Sequence, residues 1–429
     1  MSESGLGLGT AAAGERYRRG SSWALGVHVL TLVVGLAVLV VVSRGQWFVA
    51  DEWVFLTDRR LEDVRGLFVP HNEHWSTLPI VLWRALFAAV GLRSYWPYQL
   101  VALGVHLGVA HLLWRLQRRA QVAPGLALAT SGLFVVFGAG AENILSAFAV
   151  TFDASVLLGL GHVLLVDHPG SAAGAGGWGP QGRFDRRDAW GQVLALAGLM
   201  TSGVALSMVG VAGLVAWLRR GWRAAAVTVA PPAAVFLLWV AVIGHLGLRG
   251  GWQPRRMPAF VWYGLTTTFD AATSVAGAGV VALAGLGVWL VRHRSELRGR
   301  LAATFACAAG AVVFFALIGL GRSLAQAELS RYLYVAGALL LPAVGAALSD
   351  LATNRRLTRA ATIVVVALLA ANGTRLLLSR AAAERAIEEP HRRILLAAAR
   401  LDLPTSQLGL PEPRGLAHVL TYDELRHMR

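Results

Sequence analysis

Long apolar segments recur along the chain between residues 24 and 379, and short clusters of arginine separate many of them. The longer segments reach the roughly 20 residues that a helix needs to cross the hydrocarbon core of a bilayer. Backbone N–H and C=O groups find no water inside a bilayer, so a chain with this pattern crosses it as helices. The sequence therefore predicts an all-α polytopic membrane protein.

Composition supports this fold class and excludes others. Of the 429 residues 56% are hydrophobic and only 15% are charged, whereas soluble domains carry about 25% charged residues. The net charge of +15 comes from arginines between apolar segments, which is typical of cytoplasmic anchors and not of a nucleic-acid surface. The single cysteine, Cys307, excludes an intrachain disulfide and a cysteine-based zinc site.

We predict about 11 membrane-spanning helices, with the N-terminus in the cytoplasm, because this count puts all the arginine clusters on the cytoplasmic side. The pair 189–201 and 203–218 is equally compatible with one tilted helix or a re-entrant hairpin. Segment 78–92 is interpreted as an interfacial helix, since a span there would move the arginines of 115–119 outside. The predicted spans are 24–43, 97–115, 124–139, 145–166, 189–201, 203–218, 222–244, 272–291, 301–320, 331–349 and 359–379.

These spans divide the chain into three parts. Residues 1–23 form a cytoplasmic N-terminal segment, and 24–379 form the transmembrane domain with a first outer loop at 44–96. Residues 380–429 form an extracytoplasmic tail whose first part has helical periodicity. A second outer loop is predicted at 245–271.

Two acids, Asp51 and Glu52, lie in the first outer loop a few residues past the first span. A carboxylate at the mouth of a helical bundle can act as a general base or hold a cation. The same position is equally compatible with the solvated start of a loop.

The first loop ends with a second polar cluster, in which His71, Asn72, Glu73 and His74 precede Trp75. The spacing differs from the HExxH motif of zinc peptidases, so it does not favour a hydrolytic zinc site. We expect these residues to form a wall that contacts a phosphate or a sugar hydroxyl. A divalent metal ion held by Asp51, Glu73 and His74 stays open as an alternative.

Arginines in the later outer loops run against the general charge asymmetry of the chain. Arginine presents a fork of donors that suits phosphate, so we expect them to bind an anionic substrate. Contact with lipid head groups, or a structural pair with Glu328, would explain them equally well. The predicted substrate-binding residues here are Arg249, Arg255, Arg256, Arg322, Arg331 and the neighbouring Tyr332.

In the order and placement of these motifs the chain resembles the GT-C superfamily of integral-membrane glycosyltransferases, over roughly residues 20–380. Asp51-Glu52 matches the acidic pair that this superfamily carries early in its first outer loop, and 74–92 matches its interfacial helices. Pro97-Tyr98-Gln99-Leu100-Val101 is similar to the opening of its second span. Ser330-Arg331-Tyr332, with Pro342 beyond, is similar to one of its late helices.

The resemblance implies transfer of a sugar from a polyprenyl-phosphate donor to a lipid or cell-wall glycan acceptor on the extracytoplasmic face. Asp51 would then be the general base, with Glu52 beside it, and dehydration of the site would raise the pKa of Asp51. No nucleotide cofactor is implied. The competing hypothesis is a transporter or flippase of a lipid-linked or anionic solute; a structural membrane protein would leave the polar first loop unexplained.

Overall fold

The computed structural model describes residues 6–48, 51–57, 59, 61–168, 184–247, 253–352 and 356–400. Sixteen α-helices form in these ranges. They are α1 Leu6–Val42, α2 Asp51–Thr57, α3 Val64–Phe68, α4 Thr77–Val90, α5 Trp96–Arg119, α6 Pro124–Val135, α7 Ala141–Leu145, α8 Val150–Val166, α9 Arg186–Leu199, α10 Val204–Arg220, α11 Trp222–Val242, α12 Met257–Thr273, α13 Ala278–Arg292, α14 Ala302–Gly319, α15 Ser330–Ala352 and α16 Arg356–Arg400.

The predicted membrane-embedded helical class is confirmed, whereas the predicted number of about 11 spans stays a prediction. Among the described residues, 8 helical segments are long and apolar enough to cross a membrane, or 9 if a bent pair counts as one span. Those 8 are Trp23–Val42, Trp96–Arg119, Pro124–Leu145, Ala147–Val166, Trp222–Val242, Ala302–Gly319, Ser330–Ala352 and Ala360–Pro390.

The bent pair corrects two predictions. Helices α12 and α13 meet at 113°, so the predicted span 272–291 is the second arm of a broken element. The predicted loop 245–271 is largely helix α12. Gly277, with φ of +84°, lies between the two arms and allows the chain to reverse at a backbone angle that side chains with a Cβ disfavour.

Two further segments are shorter than a perpendicular span. Helices α9 and α10 have 14 and 17 residues and are separated at Met200–Gly203, so one continuous helix over 189–218 is excluded. Helix α4 forms where an interfacial helix was predicted. The short helices α2 and α3 lie in the loop between the first span and the histidine cluster.

Helix α8 lies at the centre of the bundle, where it packs against α5, α9 and α10. Several arginine-rich helix ends meet at one end of this bundle, which we call the arginine end. There Arg119 donates to the carbonyl of Asp167, Arg219 binds the Asp167 carboxylate at 2.8 Å, and Arg300 donates to the carbonyl of Ala120. Arg119, Arg219 and Arg300, which belong to three separate arginine clusters of the sequence, therefore lie at one end of the bundle.

Candidate functional site

A cavity of ≈ 220 Å³ lies at the opposite end of α8 and α10 from the arginine end. The first loop, the start of α8 and the start of α15 enclose it. Eight residues singled out from the sequence line it: Asp51, His71, Asn72, Glu73, His74, Arg322, Arg331 and Tyr332. The fold thus brings together side chains that lie up to 281 positions apart (332 − 51) in the sequence.

The histidine cluster is a tight turn and not a helix. The backbones of His71 and His74 exchange two hydrogen bonds of 3.0 Å, and Asn72 adopts a left-handed conformation with φ of +52°. Asparagine tolerates this conformation better than most residues. Arg59, which sequence reasoning missed, donates to the carbonyls of Gly66 at 2.7 Å and Pro70 at 2.9 Å and so holds the segment that leads into the turn.

Asp51 opens α2 and faces the turn across the cavity. Its carboxylate Oδ2 lies 3.5 Å from Nε2 of His71, at the outer limit of a direct hydrogen bond. Hydrogen bonding to His71 lowers the pKa of Asp51 below 3.8, although burial opposes the shift. The expected rise was therefore wrong, and the carboxylate is ionised at neutral pH.

Glu52 has a different place from its neighbour. It is fully buried and does not line the cavity. Its carboxylate accepts from the Tyr95 hydroxyl at 2.7 Å and from the backbone N–H of Phe148 at 3.0 Å. Burial, followed by the charge of Glu52, raises the pKa of Tyr95 well above 10. Glu52 was predicted to be catalytic beside Asp51. Its contacts instead link α2 to the chain before α8.

His74 is held by the start of α10. Its Nδ1 accepts the backbone N–H of Gly203 at 3.2 Å, and a Cβ at position 203 would come within 3.0 Å of that nitrogen. Burial lowers the pKa of His74 to about 4. The ring is therefore neutral, and because Nδ1 accepts, the proton is assigned to Nε2.

The predicted metal set does not converge. The ligand atoms of Asp51, Glu73 and His74 do not come within 4.8 Å of one another, because Glu73 turns to Arg322 and His74 to Gly203. In the described ranges, one group of three does come that close, formed by His168, Asp185 and Asp188. It lies near the arginine end, where Asp185 caps α9 and Asp188 binds Arg220, so both acids already have structural roles.

Two ion pairs cross the cavity. Arg322 binds Glu73 and Arg331 binds Glu142, each through one terminal nitrogen at 2.8 Å. A single bond of this kind leaves other N–H groups of the guanidinium fork available to a ligand. Glu142 was not among the predicted site residues, and the sequence carries no signal that pairs it with Arg331, which is 189 positions away.

Two other predicted arginines lie away from the cavity. Arg255 and Arg256 are exposed in the short 3-10 turn before α12 and do not line the cavity. The backbone of Gln253 is bonded to the carbonyl of Leu320 at 2.8 Å, which fixes where this turn lies. Arg249 lies outside the described residues.

Three aromatic side chains, Phe148, Phe152 and Tyr332, complete the wall. Phe152 packs edge-on against His74, and its ring centre is 6.4 Å from that of Tyr332. Aromatic faces beside carboxylates and guanidinium donors suit a ligand that has both C–H faces and polar groups. The chain matches no known family model, and no curated protein is significantly similar to it.

Proposed function

We propose that the protein is a membrane glycosyltransferase that moves a sugar from a polyprenyl-phosphate donor to the hydroxyl of a lipid or cell-wall glycan acceptor. One observation carries the proposal. An ionised carboxylate, Asp51, and two arginines whose ion pairs each use one terminal nitrogen, Arg322 and Arg331, line one cavity of ≈ 220 Å³. Such a cavity can hold a hydroxyl nucleophile, an anomeric carbon and a leaving phosphate.

In the proposed reaction Asp51 takes the proton of the acceptor hydroxyl as its oxygen attacks the anomeric carbon. The bond between that carbon and the phosphate oxygen breaks, and the lipid phosphate leaves with the bonding electrons. Arg322 and Arg331 stabilise the negative charge on the phosphate. A single displacement inverts the configuration at the anomeric carbon.

The proposal includes a membrane orientation and a fold. The arginine end would face the cytoplasm, in keeping with the positive-inside tendency, and the cavity would then open to the extracytoplasmic side. Helix α1 ends beside the first loop, so the N-terminus would be cytoplasmic. A first span, a loop with short helices and a second span at α5 follow the order expected of a GT-C-like fold.

The direct test is Asp51→Asn, which keeps the shape of the side chain and removes its basicity. We expect transfer of labelled sugar from a panel of polyprenyl-phosphate hexoses and pentoses, in proteoliposomes, to fall by about 10²- to 10⁴-fold. Glu62→Gln is the matched control, because Glu62 is an exposed acid of the same loop. Full transfer by the Asp51→Asn protein would remove Asp51 as the base.

A transporter or flippase is the second candidate, favoured by the 113° break between α12 and α13. Discontinuous helices often line the sites of transporters. The assay separates the two functions, since a transporter moves the labelled donor across the vesicle membrane without forming a new glycosidic bond.

A further inference from the structure

Helix α16 is longer than a membrane crossing requires. Its 45 residues extend over about 67 Å at 1.5 Å per residue, whereas the hydrocarbon core is about 30 Å thick. Its C-terminal part packs against the chain that joins α1 to α2. That chain leads directly to Asp51.

The contacts come from one stripe of the helix, at Ala381, Arg385, Glu388 and Arg392, whose spacings of four, three and four residues keep them on one face. The Ala381 carbonyl accepts from Gln46 at 3.5 Å. The Arg392 guanidinium lies over the Trp47 ring, 4.9 Å from its centre. We call these four residues the clamp stripe.

Arg385 completes the end of α1. It donates to the carbonyls of Val42 at 3.1 Å and Arg44 at 3.0 Å. Carbonyls at a helix C-terminus lack intrahelical partners, and a positive charge there is favourable. Gly45, with φ of +84°, turns the chain directly against Arg385, and a Cβ at that glycine would meet the Arg385 side chain at 2.9 Å.

Glu388 holds the next turn of the chain. Its carboxylate accepts the backbone N–H of Trp47 at 3.0 Å, and the side chain is only 7% exposed. A carboxylate with so little exposure is costly unless it is well bonded. The contact therefore constrains the loop where it leaves α1.

An aromatic cluster connects this clamped segment to Asp51. Phe48, which follows Trp47, packs against Trp53 of α2 and Trp83 of α4. Both Phe48 and Trp53 are 1% exposed. Packing at this density transmits a shift at Trp47 to the helix that begins with Asp51.

We propose that Arg385 and Glu388 are positioning residues, which hold the segment 43–48 and thereby keep the carboxylate of Asp51 at the cavity. The catalytic part of this inference rests on the proposed function. Neither side chain lines the cavity, so each acts through the first loop. The C-terminal helix would thus be part of the active-site support and not only a membrane crossing.

The first test is independent of activity. Hydrogen exchange of the full-length protein in detergent should become at least severalfold faster across peptides covering 43–57 in Arg385→Ala and Glu388→Ala. Peptides from α8 and α14 should not change. Arg393→Ala is the matched control, because Arg393 is exposed on the same helix and pairs only with Glu389 in the contacts described. Unchanged exchange at 43–57 in both clamp variants overturns the proposal.

The second test measures sugar transfer. A misplacement of about 1 Å can lower a rate by about 100-fold, so we expect kcat to fall by about 10- to 100-fold in Glu388→Ala, with the KM for donor within about threefold. Glu388→Gln retains an oxygen that can accept the Trp47 N–H and should recover most of kcat. Loss of kcat that Gln does not rescue overturns the hydrogen-bond role of Glu388.

The outcomes distinguish this inference from the proposed function. If the wild-type protein transfers no sugar from any donor, the proposed function fails, and the clamp is then decided by hydrogen exchange alone. If the wild-type protein is active and both clamp variants retain full kcat, positioning of Asp51 fails while the glycosyltransferase stands.

Discussion

The two ends of the helical bundle use the same chemistry, an arginine paired with a carboxylate, in different ways. At the arginine end, Arg220 binds Asp188 through two nitrogens at 2.8 and 3.1 Å, with side chains 13% and 8% exposed. At the cavity end, Arg331 binds Glu142 through one nitrogen, with side chains 39% and 29% exposed.

The difference between the two ion pairs indicates that one has a structural role and that the other can contact a ligand. The pair at the arginine end is shielded from water and joins α9 to α10, so both terminal nitrogens of Arg220 are used in the pair. The pair at the cavity end is partly hydrated and singly bonded, so it can rearrange around a ligand at little cost. An ion pair therefore indicates a ligand-binding site only when N–H groups of its arginine remain available beside a cavity.

The largest expected effect is on stability at the arginine end. Arg220→Ala leaves Asp188 buried without its cation, and breaking a buried pair in this way costs about 3–5 kcal/mol. We expect thermal or denaturant unfolding in detergent to show this loss. Arg331→Gln, the counterpart at the cavity end, should cost less than about 1 kcal/mol. Equal losses for the two variants would contradict the contrast between the ends.

The next largest effect is on activity. Here the change at the cavity end has the larger effect, whereas for stability the change at the arginine end does. Arg331→Gln removes a charged donor that is worth about 1.5–3 kcal/mol, so the KM for the polyprenyl-phosphate donor should rise by about 10- to 100-fold. Arg256→Gln is the control, because Arg256 is exposed and away from the cavity. An unchanged KM in the Arg331 variant would remove this residue from the phosphate site.

A third prediction concerns pH. His74 has a pKa of about 4 in the folded protein, against 6.5 ordinarily. The unfolded chain therefore binds a proton that the folded protein does not, and the free energy of unfolding falls as the pH drops from about 6.5 to 4. The groups whose charges act on His74 are Glu73, Arg322, His71 and Arg331.

We expect His74→Gln to flatten that pH dependence by about 1–2 kcal/mol, a value reduced from the full shift because part of the ring faces the water of the cavity. Unfolding measured at several pH values in both proteins checks this. An identical slope in the two proteins would mean that folding does not lower the pKa of His74.

The smallest expected effect is that of Glu73→Gln. This change removes the charge that faces Arg322 but keeps an acceptor, and partly exposed pairs contribute about 0–1 kcal/mol. Unfolding should be nearly unchanged, while release of Arg322 should leave donor affinity equal or higher. A loss of more than about 2 kcal/mol would place this pair with the structural ones.

The sequence was most informative about local features. Helical periodicity predicted the start of the tail, which continues in α16 to Arg400, and the positions of the arginines predicted an interfacial helix where α4 forms. It failed at α12, because the amphipathic composition of 245–271 fits a loop at the membrane surface as well as a short tilted helix. It did not predict that α9 and α10 have only 14 and 17 residues, because apolar content alone does not set the length of a helix.

Within the site, residue types were predicted better than roles. Asp51 and the residues of the His71–His74 turn were found because charged side chains are rare in this chain. Glu52 looked equivalent to Asp51 in the sequence, yet a difference of one position along α2 turns it inward to Tyr95. Arg59 was missed because its partners are backbone carbonyls. Glu142 was missed because its partner lies far away in the chain.

The sequence by itself determined that the chain is helical and membrane-embedded, because apolar length and backbone hydrogen bonding leave no other economical structure in lipid. It also determined which side chains are chemically unusual. Only the tertiary structure decided which of them meet. Contacts such as Glu73–Arg322 and Trp47–Glu388 depend on how separate helices pack, and packing is a property of surfaces that no local pattern records.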